Sequence, residues 1–362
     1  MKRIAVLGAT GSIGRQALEL VAARPELQLC ALSSGSQPLD ELRELYGVPH
    51  TQVGGDLTTL LERAQPDLVL NAVVGFAGIG ATLWTLERGI DLALANKESL
   101  VAGGELALAA WGRGGGRLLP VDSEHSAVFQ LLEGRGRETV DSVVLTASGG
   151  PFRGWSSAEL EDVTAEQALR HPTWSMGPKI TVDSATLANK GLELLEAHFL
   201  FGLAFERLEV VIQPTSVVHA LVRLRDGAVL AHLGYPDMRV PIAFALTYPQ
   251  REATPVAQLD LAGGLVLEFS APDEEAFPLL ALARRAGLGG GTLPCVLNAA
   301  NEVGVERFLA GALPFLGIAE VVEATLGQVD GAAARDLGEL LEADAAAREL
   351  AGRLARRLTV RV

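Results

Sequence analysis

Asp122 and Glu124 are the first residues in this chain whose types and spacing suggest chemistry. They follow the apolar run Leu118-Leu119-Pro120-Val121 and are separated only by Ser123. If that run is a buried strand and the chain stays extended, carboxylates at i and i+2 share one face, roughly 7 Å apart. Like charges that close raise each other's pKa unless a cation or hydrogen-bond donors sit between them. A divalent metal held through oxygen would meet that need. The competing reading is a strand running into a solvated turn, with Asp122 or Ser123 capping a helix that starts near His125.

Further chemistry-bearing groups follow other apolar runs. Ile90 to Ala95 ends in Asn96-Lys97-Glu98-Ser99, either a site at a sheet edge or a helix start capped by Asn96. Ser142 to Ala147 ends in Ser148-Gly149-Gly150-Pro151, an anion-binding nest or an ordinary turn. His171-Pro-Thr-Trp-Ser-Met-Gly-Pro178 is bracketed by prolines and cannot form a regular element, yet carries His171, Trp174 and Met176. It reads as a lid over a ligand, or as a loop packing Trp174 on the core. Lys179 to Asp183 reads as a short strand, with Ser184 capping a helix from Thr186 to about Phe201. On that helix Asn189, Lys190 and Glu193 share a side, so Glu193 could supply a third carboxylate; the alternative is a surface Lys190–Glu193 pair. His198, further along, reads as a satisfied helix histidine.

These groups need elements to position them. Ile4 to Leu7 is an apolar strand that runs into Gly8-Ala-Thr-Gly-Ser-Ile-Gly14 and a helix from Arg15 to Ala23. Strand, glycine turn and helix make the dinucleotide arrangement, in which backbone approaches a pyrophosphate and helix N–H groups point at it. The second strand, Leu27 to Leu32, ends in Ser33-Ser-Gly-Ser-Gln37 with no carboxylate to grip a ribose, which favours NADP over NAD. Asp67 to Gly75, Ile90 to Ala95 and Leu118 to Val121 continue the sheet. Leu208 to Gln213, Ser216 to Leu224 and Ala228 to Leu233 read as an antiparallel sheet with a hairpin at Asp226-Gly227. Four helical periods close the chain: Leu279 to Ala286, Pro294 to Leu309, Pro314 to Leu326 and about Leu337 to Leu358. The fold class is therefore α/β: an N-terminal Rossmann-like parallel sheet, a central α+β catalytic part and a small C-terminal helical bundle. The expected domains are 1–121 (nucleotide-binding), 122–255 (catalytic, its sheet there for packing, on a second subunit or within the chain), 256–278 (linker) and 279–362 (bundle).

Composition narrows the function classes. The 362 residues are 49% hydrophobic and 20% charged, a globular balance. No apolar run approaches the ~20 residues a membrane helix needs. Strand material begins at Ile4, so no targeting peptide is expected. Cys30 and Cys295 make neither a disulfide framework nor a zinc pattern. A reduced, cytoplasmic protein is expected. The net charge of −14 argues against nucleic acid or anionic membrane as a partner, though not against an anionic substrate.

Together the motifs resemble the 1-deoxy-D-xylulose 5-phosphate reductoisomerase family over nearly the whole chain. The resemblance rests on Gly8–Gly14, Ala95–Ser99, Val121–His125, Ala147–Pro151, His171–Gly177, Asp183–Glu193 and Pro294–Glu302, seven motifs in the family's order. It implies a homodimer that uses NADPH to make an isoprenoid precursor by the methylerythritol phosphate route. By matching position, Asp122, Glu124 and Glu193 would ligate Mg²⁺, Mn²⁺ or Co²⁺. Ser148, His171, Ser184, Asn189 and Lys190 would hold the substrate, chiefly its phosphate; Lys97 and Ser123 would contact its carbon chain. Thr10, Gly11, Ser12, Ile13, Gly35, Gln37, Asn96, Glu98 and Gly177 would line the cofactor, and Trp174 would lie in a closing flap. Where many family members have a basic residue and then Asn, this chain has Ser36 and Gln37. The runner-up readings are a two-domain dehydrogenase without rearrangement and a catalytically silent nucleotide-sensing protein.

Overall fold

The apolar runs of the N-terminal part form six parallel strands in the computed structural model, which describes residues 1–359. These are β1 (Lys2–Leu7), β2 (Leu27–Ser34), β3 (His50–Val53), β4 (Leu68–Asn71), β5 (Asp91–Leu94) and β6 (Leu118–Pro120), in the order β3-β2-β1-β4-β5-β6. The sheet is the doubly wound one expected, with β3 added, whose short polar sequence carries no strand signal. Parallel strands covered on both faces need continuous apolar sequence, and Ile4 to Leu7 and Leu68 to Leu70 are fully buried. The strand order reverses between β1 and β4, the point at which such sheets open a ligand crevice at their carboxyl ends.

The chain divides into two compact units, the first comprising 1–100, 104–130 and 237–258. Its last segment holds a helix, Arg239–Thr247, that the sequence reading leaves unassigned. Ile242, Ala243 and Leu246 pack into the same core as Ala17, Leu18 and Val21 of the helix Ser12–Ala22. Phe129, Phe244 and Tyr248 meet edge-to-face, with centroids 5.4 to 6.3 Å apart.

The second unit comprises 101–103, 131–236 and 259–362. Its sheet has the order β10-β9-β7-β8, from β7 (Val140–Ala147), β8 (Leu208–Ile212), β9 (Val218–Leu224) and β10 (Val229–Leu233). The hairpin at Asp226-Gly227 is present, with Gly227 at φ +90°. The sheet is mixed, not antiparallel: β7 lies between β8 and β9 and pairs parallel with β8. Residues 178–185 also depart from expectation, as a helix (Pro178–Ala185) and not a strand. Proline at the first helical position and the Thr181 N–H bond to the Gly177 carbonyl, 3.1 Å, outweigh the β-branched run Ile180-Thr-Val182. Ser184 therefore lies inside that helix and caps nothing; the next helix, Ala188–Phe201, starts after Leu187 at φ +60° without a side-chain cap. The four C-terminal helices are Leu279–Gly289, Leu293–Leu309, Gly317–Leu326 and Leu337–Thr359. Among the described residues, no helix is long and apolar enough to cross a membrane.

Candidate active site

In the first unit, the turn after β1 brings Gly8 against the chain leaving β4. A Cβ on Gly8 would stand 2.5 Å from the Ala72 carbonyl oxygen, and its φ of +81° disfavours any other residue. The helix Ser12–Ala22 starts at Gly11 with no side-chain cap and no acid in its first turn. Its leading N–H groups are thus available to an anion. Thr10 and Ile13 are half-buried there, and Gly11 and Ser12 exposed. Gly35 and Gln37 are exposed beyond β2, where the Ser34 hydroxyl donates to the Gln37 carbonyl. Asn96 caps the helix Lys97–Gly114 by accepting from Ser99 N (3.0 Å) and donates to the carbonyls of Val73 and Gly75. Glu98 is buried beside it. Asn71, at the end of β4, was missed. Its amide donates to Gly78 O (3.0 Å) and Thr82 Oγ1 (2.9 Å) and accepts from Val73 N, so two asparagines hold the 73–78 loop. A polar residue closing the run Leu68-Val-Leu was the available signal.

At the far side of this sheet the two carboxylates are not arranged as an extended chain would place them. The helix Ser123–Leu132 begins directly after Asp122. Asp122 Oδ1 accepts from Glu124 N (3.1 Å), His125 N (3.3 Å) and His125 Nδ1 (2.8 Å). Capping and a functional site are thus not alternatives here; the same carboxylate does the first while its other oxygen meets Lys97 Nζ at 2.7 Å. Asp122 and Glu124 still offer oxygens within 4.8 Å of each other. Ser123 Oγ donates to Glu124 Oε2 at 2.6 Å.

In the second unit, Asn189, Lys190 and Glu193 lie together as the spacing required. Asn189 Nδ2 donates to Glu193 Oε1 at 2.5 Å, and Lys190 Nζ to Oε2. Lys190 is 3% exposed and Glu193 1%, which removes the surface-pair alternative. Ser148, His171 and Ser184 form a second group, with His171 Nε2 3.1 Å from Ser148 Oγ and 3.0 Å from Ser184 Oγ. Thr173 N (3.2 Å) and Trp174 N (2.9 Å) both donate to His171 Nδ1. That nitrogen therefore carries no proton, and Nε2–H faces the two hydroxyls. Burial lowers the imidazole pKa to about 4, in keeping with a neutral ring. Gly150, at φ +67°, lets the serine loop lie on the helix end: a Cβ there would be 2.8 Å from the Ser184 carbonyl oxygen. Trp174 is half-buried, 6.5 Å from the His219 ring, and the exposed Gly177 caps the Pro178–Ala185 helix. His198 bonds Leu203 O at 2.7 Å and stacks on Phe205, a structural role as expected.

Comparison with known proteins was decisive. Residues 4–53 and 46–104 match the family described as 1-deoxy-D-xylulose 5-phosphate reductoisomerase. Residues 118–201 and 233–350 match two descriptions of its C-terminal domain. A protein of that name from Pelotomaculum thermopropionicum is 46% identical, over 99% of this chain and 100% of its own. The chain belongs to the 1-deoxy-D-xylulose 5-phosphate reductoisomerase family. The reductoisomerase of Geobacillus kaustophilus is 48% identical over 96% of this chain and 98% of its own length. Among solved structures, the Zymomonas mobilis reductoisomerase in complex with NADPH aligns with a TM-score of 0.90 and 39% identity, covering 99% of this chain and all of that one. A reductoisomerase in complex with NADPH, fosmidomycin and magnesium aligns at 0.92 and 36%, covering 99% of each.

Proposed function

We propose which residues carry the reaction this chain performs as a member of its family. That reaction is the NADPH- and divalent-metal-dependent rearrangement and reduction of 1-deoxy-D-xylulose 5-phosphate to 2-C-methyl-D-erythritol 4-phosphate, in isoprenoid precursor synthesis. The first unit fits NADPH: its uncapped helix end and glycine turn suit a pyrophosphate, and Thr10 to Ile13, Gly35, Gln37, Asn96 and Glu98 would line the cofactor, with Gly177 from the second unit. Asp122, Glu124 and Glu193 would hold the ion, an all-oxygen set suited to a hard cation such as Mg²⁺ or Mn²⁺. When bound, NADPH supplies the hydride, and the ion polarises the substrate carbonyl and offsets developing negative charge.

The chain's own groups bind and orient. Ser148 Oγ already receives His171 Nε2–H and Gly150 N–H, so its own proton is left to donate to a phosphate oxygen. Ser184 Oγ lies 3.0 Å from the same His171 nitrogen, whose one proton the two hydroxyls share, and Asn189 and Lys190 add an amide and a cation. Lys97 and Ser123 would contact the carbon chain, Lys97 as a donor held by Asp122. Trp174, on the segment anchored through His171 Nδ1, would exclude water from the reacting fragments. We also assign the working form as a cytoplasmic homodimer. The observation that carries the residue roles is the neutral His171 held between two serine hydroxyls, an arrangement made for an anion.

The test is to incubate the protein with NADPH, Mg²⁺ and the substrate and follow loss of the cofactor's near-ultraviolet absorbance. EDTA and Glu193→Ala should each lower the rate at least 100-fold, the scale of losing a principal charge-stabilising group. Full-rate NADPH oxidation in the presence of EDTA would point instead to a plain dehydrogenase.

A further inference from the structure

The motif Pro294–Glu302 has no place in the chemistry above, yet it sends a side chain toward the phosphate cradle. Asn301, on the bundle helix Leu293–Leu309, is 1% exposed. Its Nδ2 donates to Asp183 Oδ1 at 2.8 Å, across 118 residues of sequence. Asp183 is likewise 1% exposed, and its other oxygen meets Lys179 Nζ at 2.9 Å. A buried carboxylate keeps its place only if its charge and its hydrogen bonds are satisfied. Here one helical neighbour answers the charge, and the bundle supplies a directional donor.

Asp183 is followed by Ser184. The helix Pro178–Ala185 is only two turns long, too short to hold its position by itself. Its carboxyl end rests against Gly150 without a Cβ between, so a small shift of the helix changes the distance from Ser184 Oγ to His171 and Ser148. The neighbouring motif residues face elsewhere: Asn298 Nδ2 donates to Glu302 (3.0 Å), and Glu302 pairs with Arg348 of the last helix.

We infer that Asn301 is a positioning residue for phosphate recognition: through Asp183 it holds Ser184 at the substrate's phosphate. The inference rests on the reading of Ser148, His171 and Ser184 as the phosphate cradle. Its readout is therefore the KM for the sugar phosphate, with kcat and the KM for NADPH as internal controls.

Asn301→Leu removes the donor at similar volume. It should raise the sugar-phosphate KM about tenfold, equivalent to about 1.4 kcal/mol, with kcat within about twofold and the NADPH KM unmoved. Asn298→Leu, on the same helix, should leave the sugar-phosphate KM unchanged whatever it does to stability. Should Asn301→Leu fail to fold, Asn301→Asp, which sets two carboxylates together, should raise the same KM, and adding Asp183→Asn should restore it by rebuilding the amide–carboxylate bond. Ser184→Ala separates the two levels. If it leaves the sugar-phosphate KM unchanged, the cradle reading fails. If it raises that KM while folded Asn301→Leu does not, or if Asn301→Leu damages kcat and both KM values alike, the positioning role is overturned. Failure of the Asp183→Asn rescue overturns it too.

Discussion

Removing a proton site at His171 gives the sharpest test of the cradle. In the folded chain the ring titrates at about 4 in place of 6.5, through burial. Both backbone N–H groups on Nδ1 oppose protonation further. The unfolded chain binds this proton near 6.5 and the folded chain resists it until about 4. The stabilisation is therefore complete above 6.5 and is lost as pH falls through the folded value. The gap corresponds to about 3 kcal/mol as an upper bound. The ring is only half-buried, so solvent screening brings the expected contribution to roughly 1–2 kcal/mol. The assay compares urea unfolding of the protein and of His171→Gln at pH values from 7.5 to 4. The chain has six histidines, and taking the difference cancels the others. The difference should narrow by roughly 1–2 kcal/mol over that range. An NMR titration should show the His171 ring neutral at pH 6. A His171 resonance titrating near 6.5, or a difference that does not change with pH, would refute the argument.

Two other outcomes follow from the packing. Gly8→Ala places a methyl 2.5 Å from the Ala72 carbonyl oxygen at φ +81°, so it should weaken NADPH binding at least tenfold and destabilise the N-terminal sheet by about 2 kcal/mol or more; cofactor fluorescence and thermal melting measure both. Cys30 and Cys295 are buried, which pushes their thiols up to about 11 and about 12, so neither should react with a thiol reagent in the native protein at pH 8, and both should react in urea.

Legibility in the sequence followed the range of the interaction. Apolar runs such as Ile4 to Leu7 and Leu68 to Leu70 announce strands, because a parallel strand buried on both faces can carry nothing else. The turn Gly8–Gly14 was readable for a similar reason: backbone that must approach a neighbour leaves room for glycine alone. Asn189, Lys190 and Glu193 meet through helical periodicity, which spacing reveals.

The failures share the opposite cause. Residues 178–185 carry β-branched residues, and a proline at the helix start reversed their preference. After Val121 the sequence leaves an extended chain and a helix capped by Asp122 both open, because two carboxylates at i and i+2 suit either; the structure takes the cap. Strand order, the return of 237–258 to the first unit's core, and the reach of Asn71 and Asn301 leave no local trace. By itself the sequence determined which groups this protein carries and which runs must be buried, since composition and period act over a few residues. Only the tertiary structure decided which distant groups touch. Such contacts depend on topology, and a hydrogen bond across 118 residues puts no constraint on the residues between.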